Sequence, residues 1–108
     1  MTTISFHMED ARLCGFTVEG HSGYAAAGED IVCAAITSAV RLTECAINEV
    51  LGLSAAVKVR EASISLRIPG GLNEQDEHTC QNLLVALMVY LTQLHEEYPA
   101  FVSVVEAE

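Results

Sequence analysis

Hydrophobic and polar residues alternate in two short runs at the start of the chain, residues 3–8 and residues 14–18. Alternation with a period of two is typical of a β-strand that buries one face. Glu9 and Asp10 lie between the two runs and are predicted to form a hairpin turn. The chain is therefore predicted to begin with two antiparallel strands.

The spacing of the apolar residues changes to a helical period after Asp30. From Ile31 to about Leu51 they recur every three or four positions, which is typical of a helix with one buried stripe. Asp30 is predicted to be the N-cap, and Gly52 is predicted to end the helix. The preceding residues, 20–30, are rich in glycine and alanine and are predicted to form a loop.

The second half of the chain repeats this order of patterns. Alternating runs at residues 57–60 and 63–68 predict two more strands, each with one face toward water. A second helix is predicted from a cap at Asn73 to about Tyr98, because Pro99 cannot continue a helix. Residues 101–105 are predicted to form a final strand.

The predicted order of elements is β-β-α-β-β-α-β, which indicates an α+β fold of two layers. A mixed or antiparallel sheet is expected to be packed by two helices. A chain of 108 residues is predicted to be a single domain, residues 1–108. Residues 83–91 of the second helix are apolar nearly all round, so this segment is either a central core helix or also a contact with a second subunit.

Composition and charge narrow the functional classes. A hydrophobic content of 51% argues against disorder, and 15 acidic against 5 basic residues argue against nucleic-acid binding. The first ten residues lack the basic region of a secretory signal, and the longest uncharged apolar stretch, residues 83–94, is shorter than the ~20 residues of a membrane span. We therefore expect a cytoplasmic protein with four reduced cysteines and no membrane contact. No ligand spacing predicts a metal, and no cofactor is expected.

Cys33 and His21 are the candidate reactive residues. Cys33 lies near the start of the first predicted helix, where free amides and the helix dipole stabilise a thiolate. His21 precedes it across a loop long enough to bring an imidazole beside the sulfur. Amides at the helix start, including that of Cys33, are predicted to form an oxyanion hole. A buried cysteine and an unrelated loop histidine remain the alternative at this point.

The residues around this pair follow two motifs, G-H-[AS] and, at a set distance, G-x-D-[IL]-V-C-A. Here the motifs read Gly20-His21-Ser22-Gly23-Tyr24 and Gly28-x-Asp30-Ile31-Val32-Cys33-Ala34-Ala35. In these motifs, and in length and element order, the chain resembles the ribosomal-processing cysteine protease family, Prp. Members are homodimeric bacterial endopeptidases that remove a short hydrophobic N-terminal extension from a large-subunit ribosomal protein during ribosome assembly.

The resemblance assigns roles to individual residues. It implies that Cys33 is the nucleophile and that His21 is the general base and acid. Asp30 matches an aspartate near the site, which either caps the helix or orients His21. Gly20 matches a glycine that lets the strand turn into the loop, and Thr37 stands where the family often has serine. The remaining matches, in a loop that resembles the family's mobile segment, are Ser22, Gly23, Tyr24 and Gly28.

The resemblance also implies the partners, namely the ribosomal-protein extension as a peptide substrate and a second copy of the chain. Three other functions stay open from the residues alone. The first is a dimeric ribosome-assembly module that binds without cutting. The second is another thiol-dependent acyl hydrolase that uses the same dyad. The third is a structural domain in which Cys33 is inert.

Overall fold

A computed structural model describes residues 1–20 and 29–108, with the backbone alone described at Glu29 and Asp30. The order of elements, β-β-α-β-β-α-β, confirms the predicted α+β fold. The strands and helices are β1 (Thr2–Glu9), β2 (Arg12–Glu19), α1 (Glu29–Glu44, continued by a π-helical turn at Cys45–Val50), β3 (Ala56–Arg60), β4 (Ser63–Arg67), α2 (Glu74–Glu97) and β5 (Val102–Ala107).

The strands form one mixed sheet in the order β3-β4-β2-β1-β5. Neighbouring strands are antiparallel except for β1 and β5, which run parallel. The first hairpin turns at Asp10 and Ala11, one residue later than predicted. Both residues have positive φ values, 50° and 61°, as a two-residue hairpin loop that follows the twist of its strands requires.

One face of the sheet carries the hydrophobic core. Alternate residues of β1 and β2 point to this face, and their side chains are fully buried against the two helices. The helices contribute one buried stripe each, because apolar residues spaced three or four apart share a helix face. The largest fully buried residues on the strands and helices include Ile4, Phe6, Phe16, Val18, Ile36, Leu84 and Leu91.

The helix α1 begins earlier than predicted. Its first residue is Glu29 rather than Ile31, so Asp30 lies inside the first turn and the prediction that it is the N-cap is wrong. Acidic residues are favourable in a first helical turn, which lets the helix extend back through both positions. At its other end Gly52, with φ +67°, follows the π-helical turn and ends the helix as predicted.

The helix α2 agrees with its predicted signals at both ends. The Asn73 side chain accepts a hydrogen bond from the Asp76 amide at 2.8 Å, which confirms the predicted cap. The helix ends at Glu97, shortly before Pro99. In its apolar middle, Leu84, Leu87 and Leu91 are buried, whereas the opposite face is exposed within this chain.

The strand β3 differs from the prediction of one face toward water, since all five of its residues are exposed. It is an edge strand, hydrogen-bonded to β4 on one side. Its apolar side chains lie beside a groove rather than under a helix. The polypeptide is nevertheless fixed just before β3, because the Asn48 side chain accepts from the Ala55 amide at 2.6 Å.

Residues 83–94 alone were considered as a membrane span from the sequence, but a longer apolar helical stretch lies at Ile31–Val50. By length and composition alone this helix could cross a membrane. The core helix of a globular domain passes the same test. Here Val32, Ile36, Val40 and Ile47 join the core beneath the sheet.

Candidate active site

Cys33 lies one turn into α1, at the edge of the stripe that faces the core. Its neighbour Val32 is buried, whereas Cys33 itself is half-buried. The Cys33 sulfur lies 3.7 Å from the hydroxyl oxygen of Thr2. The thiol is thus at the boundary between core and surface, with a polar group beside it.

Thr2 is the residue of this site that sequence reasoning missed. It is the first residue of β1, it is 0% exposed, and its amide donates to the Phe101 carbonyl at 2.9 Å. A signal was present, because alternation places Thr2 on the same face as Ile4 and Phe6, so a hydroxyl was directed into the core. A buried hydroxyl requires a partner, and the Cys33 sulfur is in hydrogen-bond range.

Gly20 brings the end of β2 close to Thr2. Thr3 pairs with Glu19, so Gly20 lies opposite Thr2 across the two strands. Gly20 has φ +99°, and a Cβ atom there would lie 2.3 Å from the Met1 carbonyl oxygen. Positive φ and this close approach together favour glycine. His21, the next residue in the chain, is therefore attached at the end of the sheet that holds Thr2.

The partners predicted for Cys33 fall largely outside the described residues. His21, Ser22, Gly23, Tyr24 and Gly28 lie in the segment between residues 20 and 29, and only the backbone of Asp30 is described. The pairing of His21 with Cys33 and the orienting role of Asp30 therefore stay predictions.

The predicted oxyanion hole needs one correction. Cys33 is the fifth residue of α1, and an α-helix directs the amide of residue i toward the carbonyl of residue i−4. The Cys33 amide therefore lies inside the hydrogen-bonded part of the helix. The amides without an intrahelical acceptor belong to the residues before it. The predicted helix begins at Ile31, and with that start the Cys33 amide would have had no acceptor within the helix.

Thr37 follows Cys33 by one turn and lies on the same side of α1, as predicted from its spacing. It lines one end of a groove of about 180 Å³ between α1 and the hairpin of β3 and β4. We call this the α1–β3 groove. It is lined by Thr37, Val40, Arg41, Glu44, Val57, Val59, Ile64 and Leu66.

The other three cysteines have different surroundings. Cys14 is buried and its thiol donates to the His7 carbonyl at 3.2 Å. Cys80 lies on the buried face of α2, and burial, with a smaller effect from Glu77 and Asp76, raises the pKa of its thiol. Cys45 is exposed. Among the contacts that residues 1–20 and 31–108 make, only those of Cys33 combine partial exposure with a hydroxyl beside the sulfur.

Two of the remaining histidines have partners of their own. The ring of His7 bonds the Thr17 hydroxyl at 2.8 Å, on the face of the sheet opposite α1 and α2. The Nδ1 atom of His95 contacts the Val102 carbonyl. His78 is exposed near the start of α2. These contacts, and the exposure of His78, are typical of structural or solvated histidines.

One family model and several solved structures match this chain. A family model described as "Cysteine protease Prp" matches residues 1–103. The fold is similar to that of SMU.848 from Streptococcus mutans, with a TM-score of 0.83 and 24% identity over 99% of this chain and 96% of that one. No curated protein matches the sequence.

Solved structures of a ribosomal processing protease, Prp from Staphylococcus aureus, also have this fold. In complex with a substrate peptide, that protein gives a TM-score of 0.85 at 18% identity. With a covalently linked product peptide it gives 0.76 at 20% identity. Each match covers 99% of this chain and 100% of the other. At these identities the structures establish a shared fold.

Proposed function

Because the chain belongs to the cysteine protease Prp family and is a cysteine protease, we propose that Cys33 is its nucleophile and His21 its general base and acid. The observation that carries the proposal is the half-buried Cys33 sulfur beside the buried Thr2 hydroxyl. A second support is Gly20, which attaches His21 at the same end of the sheet.

The proposed reaction is acyl transfer to sulfur followed by hydrolysis. His21 takes the proton of the Cys33 thiol, and the sulfur forms a bond to the scissile carbonyl carbon. Free amides in the first turn of α1 stabilise the oxyanion, which typically contributes a few kcal/mol. As the carbon–nitrogen bond breaks, His21 gives its proton to the leaving amine. Water then attacks the thioester and restores the Cys33 thiol, with His21 moving the proton.

We propose an N-terminal extension of a ribosomal protein as the substrate. The fold neighbour from Staphylococcus aureus is a ribosomal processing protease with a substrate peptide bound. The net charge of −10 would attract the basic body of a ribosomal protein. The protein would act in the cytoplasm during assembly of the large subunit.

We also propose that two copies associate through the outer face of α2. Val85, Val89 and Tyr90 are exposed there to 42, 49 and 44%, and exposed apolar patches often mark protein contacts. Light scattering should give twice the mass of one chain, and Val89→Asp should lower it. Val105→Asp, an exposed valine on β5, is the control. A single-chain mass for the unaltered protein at micromolar concentration would exclude the dimer.

The central experiment tests the two proposed catalytic residues. The protein is incubated with a peptide that spans the N-terminal extension of the host's ribosomal protein, and fragments are identified by mass spectrometry. Cys33→Ala and His21→Ala should each lose cleavage by at least about a thousandfold. Cys45→Ala and His78→Ala remove an exposed thiol and an exposed imidazole elsewhere, and should cleave normally.

Other outcomes would support the alternative functions. Peptide that is bound but left intact by the unaltered protein would indicate a binding module. Cleavage that persists in Cys33→Ala would reject Cys33 as the nucleophile. Hydrolysis of a small thioester or ester, with no peptide cut, would indicate another acyl hydrolase.

A further inference from the structure

We infer that the α1–β3 groove and the free edge of β3 together bind the substrate as an added β-strand. The bound segment would place one large apolar side chain in the groove and acidic side chains beside Lys58 and Arg60. This inference rests on the proposed function and adds the place and the sequence pattern of substrate recognition.

The groove has the size and lining of a site for one large apolar side chain. Its volume is about 180 Å³, and an apolar protein cavity of roughly 150 Å³ is known to hold benzene. Val57 and Val59 are exposed at its side to 36 and 73%. Covering these two valines with an apolar side chain would remove their surface from water, which is favourable.

The edge of β3 supplies the backbone contacts that such a peptide needs. Within the described part of the chain, β3 pairs with β4 alone and ends the sheet. Its outer amides and carbonyls are therefore available to an extended peptide, which is a recurrent mode of peptide recognition. Side chains of an added strand alternate between the two faces, so every second residue would lie on the groove side of the sheet.

The charged side chains on the other face of β3 predict which residues of the peptide lie between its apolar residues. Val57 and Val59 point to the groove side of β3, so Lys58 and Arg60 point to the opposite face. Neither cation forms an ion pair within residues 1–20 and 31–108, whereas nearby Arg67 is paired with Glu9 at 2.9 Å. Opposite charges on adjacent strands attract. A glutamate or aspartate between the apolar residues of the peptide fits this face.

The groove also leads to the proposed nucleophile. Thr37 lines the groove and lies one helical turn from Cys33 on the same side of α1. The apolar side chain in the groove would lie near Thr37, whereas the peptide backbone along β3 would lie four strand spacings, about 19 Å, from β1, whose Thr2 contacts the sulfur. To reach Cys33, the peptide must leave the edge of β3 and cross the ends of the strands, a distance that about six extended residues span.

The test measures binding without cleavage. The Cys33→Ala protein is titrated into a fluorescein-labelled peptide of alternating leucine and glutamate with one phenylalanine, and anisotropy gives the Kd. Val59→Asp in this background should weaken binding at least tenfold, because a charge enters the apolar groove. Val105→Asp on β5, the opposite edge, is the matched control and should leave the Kd unchanged.

Two further arms test the charge and the backbone contacts. Replacing the glutamates of the peptide by lysine should weaken binding about fivefold, and Lys58→Glu should reverse that preference. N-methylation of alternate peptide amides should weaken binding in one of the two registers only, as pairing with a strand edge requires.

The outcomes separate this inference from the proposed function. Equal Kd values for Val59→Asp and Val105→Asp would overturn the proposal that the peptide binds in the α1–β3 groove, even if the native protein cleaves the peptide. Val59-dependent binding without any cleavage by the native protein would overturn the proposed function and leave the groove as a binding site.

Discussion

Cys33 and Cys80 occupy comparable places on the two helices, the fifth residue of α1 and the seventh residue of α2, but the two thiols differ in burial. Cys33 is half-buried and has the Thr2 hydroxyl beside its sulfur. Cys80 is fully buried, with Asp76 and Glu77 nearby, and its pKa is raised. Both thiols lie toward the positive end of a helix dipole.

The difference shows that position on a helix does not by itself make a cysteine reactive. The dipole acts over the first turn and is modest in energy. Burial opposes the charged form of a thiol, and neighbouring carboxylates oppose it further. Cys33 is only half-buried, because α1 ends its buried stripe at this point, and the strand β1 provides a hydroxyl there.

The largest expected effect is a difference in reaction with iodoacetamide. In the native protein at pH 7, Cys33 should be alkylated at least about a hundredfold faster than Cys80, because burial keeps the latter thiol neutral and covered. Peptide mapping by mass spectrometry gives both rates, with exposed Cys45 as an internal standard. In strong denaturant the ratio should fall close to one. Equal alkylation rates for Cys33 and Cys80 in the native protein would show that the two thiols do not differ in reactivity.

The next effect concerns the approach of β2 to the Cys33 end of the sheet. Gly20→Ala should destabilise the protein by about 1–3 kcal/mol and lower peptide cleavage more than tenfold, since positive φ and overlap with the Met1 carbonyl both oppose a Cβ atom. Melting temperature and cleavage rate measure the two effects.

Gly52→Ala is the control for this substitution. Gly52 also has positive φ, +67°, but a Cβ atom there would meet nothing within 4 Å. It should cost about 1 kcal/mol of backbone strain and leave cleavage unchanged. If both variants behave alike, the close approach at Gly20 has no role in the site.

A smaller effect should follow from loss of the hydroxyl beside the sulfur. Thr2→Val should slow alkylation of Cys33 at pH 7 about fivefold, because a hydrogen bond contributes about 1 kcal/mol. Thr2→Ser should restore the rate. Thr17→Val removes a hydroxyl bonded to His7 instead and should have no effect on Cys33. An unchanged rate in Thr2→Val would show that the hydroxyl does not act on the sulfur.

The smallest expected effect is the pH dependence that Cys80 gives to stability. Its pKa is raised in the folded state above the ordinary value of 9.0. Above about pH 9 the unfolded chain loses this proton while the folded protein keeps it, so stability falls as pH rises through this window. Cys80→Ala should flatten the fall in urea midpoint between pH 8.5 and 10.5. Cys45→Ala, which removes an exposed thiol, should leave the fall in urea midpoint as steep as in the unaltered protein.

Much of the fold was predictable from local patterns. Alternation gave the strands, the change to helical spacing gave the helices, and Asn73 gave the start of α2. These signals are local because each element buries one face, and the spacing of apolar residues records which face. The exposure of β3 on both faces was not predictable, since it depends on where α1 lies relative to the sheet edge.

The sequence by itself determined the elements, their order, and a cysteine near the start of a helix, because these follow from residues close together in the chain. Only the tertiary structure decided that Thr2 lies beside Cys33, 31 residues away, and that Gly20 closes on Met1. Strand order and register make these contacts. A side chain's period along its strand specifies which face it occupies, but the pairing of distant segments specifies what it meets there.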